Sequence, residues 1–453
     1  MKESRETKAM FGCTGCGATR NKWFGRCPEC GAWNSAQEFR QDRPTASGYA
    51  GERSAVKRLD EIAGDDAPRL TTGLHELDRV LGGGLVRGSV ILVGGDPGIG
   101  KSTVLLQACC RMSEQHAVLY VSGEESLEQI ALRAKRLRLP AAGLRLAAET
   151  LVENILETAR EEKPAVLVVD SIQTMQSAHL QGAPGTVPQV RECAAILTRF
   201  AKQSGTAVFL VGHVTKSGDI AGPRVLEHII DVVCSIESSP DNRYRILRST
   251  KNRFGAVNEL GVFAMTETGM KEVRNPSAIF LSGNPQAMPG CAVTVLWEGS
   301  RPLLVEIQSL VDECYAEAPR RVAMGFEPGR LVMLLAVLHK HGNLASYAKD
   351  VFVNVVGGIR VTETAADLAL LMAIAASLTN RQLPEATVLF GEIGLTGEVR
   401  PVPNGQQRLQ EAVKHGFRRA ILPAANAPKQ AVADCEVIPV HNLAEALGRL
   451  RGG

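Results

Sequence analysis

Gly94-Gly95-Asp96-Pro97-Gly98-Ile99-Gly100-Lys101-Ser102 is the stretch whose reading decides the fold. An apolar run from Ser89 to Val93 precedes it and predicts a buried strand. The residues from Thr103 to Cys110 follow it and predict a helix. Together they make the G-x-x-x-x-G-K-[ST] phosphate-binding pattern, running from Gly95 to Ser102. The glycines let backbone N–H groups curl around an anion without Cβ clashes. The helix start adds unpaired donors and a positive dipole end. Lys101 is the point charge for the β- and γ-phosphates, and the Ser102 hydroxyl suits Mg2+. A nucleoside triphosphate is the expected ligand, held by Gly95, Asp96, Pro97, Gly98, Ile99, Gly100, Lys101, Ser102 and Thr103. An accidental Lys-Ser after a glycine-rich turn is the alternative, and the flanking strand and helix weigh against it.

The bulk numbers set the frame. A chain of 453 residues has room for roughly two to four domains. Hydrophobic content of 45% and charged content of 22% are those of an ordinary globular protein. A net charge of +3 announces no global field for nucleic acid, so any such contact must use local patches. Aromatic residues at 4% argue against gripping single strands mainly by base stacking. No apolar core follows the charged opening, so no secretory leader is expected. No run approaches the ~18 apolar residues of a membrane span. Eleven cysteines include two C-x-x-C pairs, and the other seven are scattered. That predicts a reducing cytoplasm and one metal site rather than a disulfide scaffold.

Cys13-x-x-Cys16 and Cys27-x-x-Cys30 enclose ten residues, with Gly15, Gly17 and Gly31 at the turns. Four thiolates in two knuckles suit a closed tetrahedral zinc site. A redox pair is the other reading of such spacing. So small a segment has little core of its own, so metal supplies its folding energy. Trp23, Trp33, Arg20, Lys22 and Arg26 decorate it, as a contact surface for nucleic acid or protein or as solvated skin. We delimit the finger at 1–36 and a polar linker with Pro44, Gly48 and Gly51 at 37–58.

From 59 to 275 strands and helices alternate, predicting an α/β domain with a parallel sheet. Strand 117–122 delivers Gly123-Glu124-Glu125-Ser126 to the edge where ligands bind in open sheets. Glu124 there can orient the water that attacks the γ-phosphate. The acidic pair also fits a plain helix start. Strand 165–170 ends in Asp170, suited to the Mg2+ shell together with Ser102. Strand 207–212 ends at His213. Loops follow at 179–188 and 216–224.

These residues resemble the RecA-type ATPase core: Thr72 to Asp78, the phosphate loop, the Glu after the second strand and the Asp170-Ser171 pair. Lys251-Asn252-Arg253-Phe254-Gly255, and the order of four-cysteine finger, RecA-like core and Lon-protease-like tail, narrow the resemblance to the RadA (Sms) family of bacterial DNA repair proteins. The resemblance implies Glu124 as catalytic carboxylate and His213 as the γ-phosphate sensor. It puts the loops at about 174–188 and 214–224 against DNA, with Lys216 and Arg224 as their basic residues and Arg191 just beyond. Lys251 and Arg253 alternate on an extended segment, so both point one way. The resemblance implies that they act in trans on a neighbour's ATP, and direct contact with DNA phosphates is the competing role.

The tail, 276–453, is also α/β: a hairpin over 292–307, strands at 351–358, 386–393 and 420–423, and a helix at 365–378. It resembles the Lon proteolytic domain, whose Ser nucleophile is activated by a Lys. Alignment of the motifs puts Ala366 and Gln406 at those two places, which implies a catalytically dead domain kept for assembly and DNA binding. Arg301, Lys340, Lys349, Arg360, Arg381, Arg400 and Arg408 are its candidate basic residues.

The resemblance implies a DNA-dependent ATPase in a hexameric ring, with ATP, Mg2+ and Zn2+ as cofactors. Its expected partners are single-stranded DNA, branched recombination intermediates and the RecA recombinase. An ATP-dependent protease and a signalling ATPase are the competing classes. Ala366 and Gln406 oppose the first, and the finger opposes the second.

Overall fold

The computed structural model describes residues 9–40, 58, 69–212, 224–239, 242–281 and 288–450. The chain divides into two compact units, one of Met1–Ser238 with Asn242–Val273 and the other of Ser239–Asp241 with Arg274–Gly453.

The first unit opens with a ribbon of β1 (Ala9–Cys13), β2 (Thr19–Arg20) and β3 (Ala36–Arg40), in sheet order β2-β1-β3. Strand β3 pairs along the whole of β1, from Ala9 opposite Arg40 to Cys13 opposite Ala36. The ribbon therefore runs past residue 36, into what the composition assigned to a linker. Ladder hydrogen bonds make that strand, and they need no apolar side chains to announce them. Most of the linker lies outside the described residues.

The rest of the unit runs α1 (His75–Val80), β4 (Val90–Gly95), α2 (Lys101–Met112), β5 (Val118–Ser122), α3 (Leu127–Arg136), β6 (Arg145–Ala148), α4 (Val152–Glu162), β7 (Val166–Asp170), α5 (Val187–Ser204), β8 (Ala207–Val211), α6 (Arg224–Glu227) and β9 (Val232–Ser238). Three further strands close it: β10 (Tyr244–Asn252), β11 (Leu260–Thr266) and β12 (Gly269–Glu272). They form one nine-stranded sheet in the order β12-β11-β10-β9-β4-β8-β7-β5-β6. The six strands from β9 to β6 are parallel neighbours, and the last three extend the sheet antiparallel. The central strands are buried on both faces, which explains their near-continuous apolar composition. Alternate residues feed two cores. Ile91, Val93, Tyr120, Val168 and Phe209 pack with α1 and α2. Val90, Leu92, Val121, Val169 and Leu210 pack with α4 and α5. Strand β4 lies between β8 and β9, so the strand order turns there and the loop after it opens at a switch point.

The second unit contains β13 (Cys291–Glu298), β14 (Arg301–Glu313), β15 (Arg321–Met324), α7 (Pro328–Gly342), β16 (Lys349–Val355), α8 (Asp367–Thr379), β17 (Thr387–Leu389), β18 (Glu392–Ile393), β19 (Val399–Arg400), α9 (Gly405–Lys414), β20 (Arg419–Pro423), β21 (Glu436–Val440) and α10 (Leu443–Leu447). Its mixed sheet has the order β15-β16-β14-β13-β17-β20-β21, beside a small β18-β19 pair. Helix α8 is buried at every residue from Asp367 to Ala376, so it forms the centre of the unit. Two expected strands come out shorter. The strand expected to reach 358 stops at Val355, where Gly357 turns with φ 78°. The strand expected over 386–393 breaks after Leu389, and Glu392–Ile393 joins β19 instead. A Cβ on Gly391, at that break, would stand 3.0 Å from Val399. Among the described residues no helix is long and apolar enough to cross a membrane.

Candidate functional site

Strand β4 ends in the phosphate loop, and α2 begins at Lys101 itself, two residues earlier than the apolar pattern suggests. The residue before it, Gly100, takes φ 112°, which side chains rarely adopt, and a Cβ there would also have to displace the end of the Met270 side chain. Glycine meets both demands. Helix α2 carries no side-chain cap, so its first N–H groups are left for an anion.

Lys101 is 4% exposed. Its Nζ donates to the carbonyls of Gly95 at 2.8 Å and Asp96 at 2.9 Å. Burial draws its pKa down, while the charges of Asp170, Glu124 and Asp96 hold it up. The loop is braced from the antiparallel end of the sheet. Arg245 of β10 donates to the Ile99 carbonyl at 3.0 Å. Gln107 of α2 donates to the Met270 carbonyl at 3.0 Å and accepts from its N–H at 2.9 Å. Sequence reasoning missed both braces. Gln107 was detectable as the one polar side chain between Val104 and Cys110.

Asp170 closes β7 and is 6% exposed. Its Oδ2 accepts from the Tyr120 hydroxyl at 2.5 Å. Burial first, and Asp170 second, push the Tyr120 phenol well above its ordinary pKa. Glu124 follows β5 and accepts from the hydroxyl of Ser171, the residue after Asp170. Glu125 turns away to pair with Arg133 of α3. The structure thus brings Lys101, Glu124 and Asp170 to one edge and directs Glu125 elsewhere. The donor set suits the expected group, with a buried ammonium, a helix start and two carboxylates at the carboxyl ends of parallel strands. Those residues would hold ATP and Mg2+.

His213 and Lys216 lie outside the described residues. Arg224 is described only as the first residue of α6. Arg191 is exposed on α5. The loop before α5 is anchored by Gln189, whose amide donates to the Leu180 carbonyl at 2.7 Å and accepts from Ser177 N at 2.9 Å. The side-chain amide of Gln173, in the turn after Asp170-Ser171, is buried with no partner.

Lys251 and Arg253 do reach one segment. Lys251 Nζ donates to the carbonyls of Glu227 and Ile230, the latter at 2.7 Å. Arg253 donates to Asp231 Oδ1 at 3.3 Å. Asp231, 2% exposed, also accepts from Lys202 Nζ at 2.6 Å and from the N–H of Val90 at 3.0 Å. Val90 is the first residue of β4, whereas the phosphate loop follows the last. The two cations are therefore anchored at the opposite end of β4 from their own phosphate loop, about 17 Å away at ~3.3 Å per residue.

In the ribbon the Sγ atoms of Cys13, Cys16, Cys27 and Cys30 lie within 4.8 Å of one another. The Cys13–Cys30 and Cys16–Cys27 separations are both 3.6 Å. Tetrahedral zinc with Zn–S near 2.3 Å sets about 3.8 Å between sulfurs. The cage fits Zn2+.

The second unit corrects one expectation, that Arg408 is a surface residue for DNA. Ala366 is fully buried, but Gln406 is exposed on α9 and does not turn inward. The inward cation of α9 is Arg408, which is 1% exposed and so is not a surface residue for DNA. It donates to both carboxylate oxygens of Glu363, at 2.8 and 2.6 Å. It also donates to the carbonyls of Pro403 at 2.9 Å and Val295 at 2.5 Å. A helix facing inward every third or fourth residue buries position 408 and exposes 406. Of the other basic candidates, Lys349 pairs with Glu313, and Arg400 with Glu398.

Comparison with known proteins agrees with this organisation. Family models match at residues 11–38 (rubredoxin metal binding domain), 53–219 (AAA domain) and 334–426 (subunit ChlI of Mg-chelatase). The DNA repair protein RadA of Pseudomonas aeruginosa is 58% identical over 449 residues, covering 98% of this chain and 99% of its own. That of Bacillus subtilis is 45% identical, covering 99% and 100%. The solved KaiC-like protein PH0186 of Pyrococcus horikoshii covers 45% of this chain and 98% of its own at 19% identity, with a TM-score of 0.39.

Proposed function

The chain belongs to the family of the DNA repair protein RadA, with a zinc ribbon and an ATPase unit; from that premise we propose that it is a DNA-dependent ATPase motor. It couples hydrolysis to movement on single-stranded DNA and so drives branch migration of recombination intermediates. Mg2+, when bound, draws charge from the β- and γ-phosphate oxygens. Lys101 leaves the loop carbonyls for those oxygens, Ser102 and Asp170 hold the metal's shell, and Glu124 takes the proton of the attacking water. His213 is assigned to sensing the γ-phosphate. Arg191, Lys216 and Arg224 are assigned to the strand backbone, where sparse charge suits tracking better than base reading.

One observation carries the reading. Lys251 and Arg253 stand at the end of β4 away from their own phosphate loop. Cations placed there cannot serve their own nucleotide, so in this reading they reach a neighbour's. A closed ring with nucleotide at each subunit boundary, in this reading a hexamer, satisfies that requirement. The buried Arg408–Glu363 pair supports reading the second unit as a scaffold and not a protease. Trp23 and Trp33, both exposed, with Arg26 over Trp33 at 5.6 Å, suit the ribbon to contact the RecA recombinase. A cytoplasmic site of action agrees with the seven cysteines outside the zinc cage, none of them in a disulfide.

The test is complementation. Lys251→Ala should keep nucleotide binding and lose DNA-stimulated turnover. Mixed with Lys101→Ala subunits, it should recover part of that turnover, because composite sites pair an intact loop with intact cations. Loss of nucleotide binding in Lys251→Ala, or mixtures as inactive as their parts, would overturn the in-trans assignment.

A further inference from the structure

Tyr120 sits within β5 opposite Val168 of β7, in a row of Val, Leu and Tyr that is buried throughout. Packing alone asks for a phenylalanine at such a position. The hydroxyl that is present instead reaches 2.5 Å from Asp170 Oδ2. Ser171, fully buried one residue further on, gives its hydroxyl to Glu124 Oε1. The two carboxylates at the edge are therefore each held by a neutral donor, and the donors come from different elements. A neutral donor orients a carboxylate without cancelling its charge, as an arginine would. Each donor binds one oxygen of its carboxylate, Oδ2 of Asp170 and Oε1 of Glu124.

We infer that Tyr120 and Ser171 are positioning residues that assign the two carboxylates separate tasks, Tyr120 aiming Asp170 at the metal's shell and Ser171 aiming Glu124 at the attacking water. This deepens the proposed function and rests on its reading of Asp170 and Glu124. Tyr120 holds Asp170 by Oδ2, which makes Oδ1 the oxygen assigned to the metal's shell. Ser171 fixes the distance between the two acids by bonding across from β7 to the end of β5.

Two readouts on the full chain separate the roles. The first is the Mg2+ concentration that gives half of the ADP-dependent rise in melting temperature, and the second is kcat for ATP. Tyr120→Phe should raise that Mg2+ midpoint about tenfold, the effect of one hydrogen bond to a charged group, with melting in metal-free buffer unchanged. Ser171→Ala should leave the midpoint in place and lower kcat about tenfold, and Ser171→Thr should restore it. Asp170→Asn is the control. If it fails to move the midpoint, the metal role of Asp170 falls and this inference falls with it. If it moves the midpoint and Tyr120→Phe does not, the inference alone is lost. Variants that shift both readouts together would show only a loosened edge and would equally overturn it.

Discussion

Lys101 and Arg408 are both buried cations, and they are held in opposite ways. Lys101 rests on two neutral carbonyls of its own loop. Arg408 is gripped by both oxygens of one carboxylate and by two carbonyls, one of nearby Pro403 and one of distant Val295. A phosphate oxygen is a stronger acceptor for an ammonium than a carbonyl, so Lys101 can exchange its partners for a ligand. Nothing that arrives from solvent improves on the fork of Glu363 around a guanidinium. The first arrangement is open to chemistry, and the second is closed for stability.

The sharpest way to break this contrast is at Lys101. Lys101→Ala should reduce ATP turnover by about 100-fold or more, the effect of removing a charge from the transferring phosphoryl group. It should change nucleotide-free stability by only about 1 kcal/mol, because the lost hydrogen bonds to neutral carbonyls and the lost attraction of nearby carboxylates are offset by no longer burying an ammonium. Steady-state hydrolysis and urea melts on one preparation check both. A large loss of stability with turnover intact would reverse the assignment of the two cations.

Arg408 should behave the other way. Arg408→Met removes one partner of a buried pair and leaves Glu363, about one quarter exposed, with an uncompensated charge. The expected cost is about 3 kcal/mol, at the low end for a broken buried pair because water still reaches the carboxylate. Adding Glu363→Leu should recover most of it. Circular dichroism in urea should show an early transition in the variant, while bound nucleotide still protects the ATPase unit. No early transition would mean that the pair is ornamental.

Much of the first unit was legible because its signals are local. A phosphate loop, its flanking strand and helix, and two C-x-x-C knuckles each complete themselves within a few residues. Tyr120 and Arg245 were not legible, and Gln107 showed only as an isolated polar residue, because their partners Asp170, Ile99 and Met270 stand far off in sequence and meet them only through the sheet order. The place of Lys251 and Arg253 needed the strand β4 between two reference points, its start at Val90 and its end at Gly95. The tail misled at Arg408, because a basic residue reads as surface in the composition and only helix phase says which residues of α9 face inward. The ribbon misled by one strand, since β3 is made by pairing and not by composition.

The zinc ribbon tests the contrast at its weakest point, where closure comes from metal and not from an ion pair. Among its described residues the only buried hydrophobic side chains are the ligands Cys13 and Cys27. With almost no apolar core, the ribbon's fold depends on the thiolates being drawn together. Cys16→Ser should therefore lower bound zinc and open the ribbon to trypsin at Arg20, Lys22 and Arg26, as metal analysis and limited digestion would show. The Mg2+ midpoint for ADP protection should stay in place, because the ATPase unit closes its own core on both faces of its sheet. A digestion pattern unchanged by loss of zinc would mean that strand pairing of β1 with β3 holds the ribbon unaided. The metal would then be a passenger on a fold already made, and the distinction between open and closed sites would have to be drawn without it.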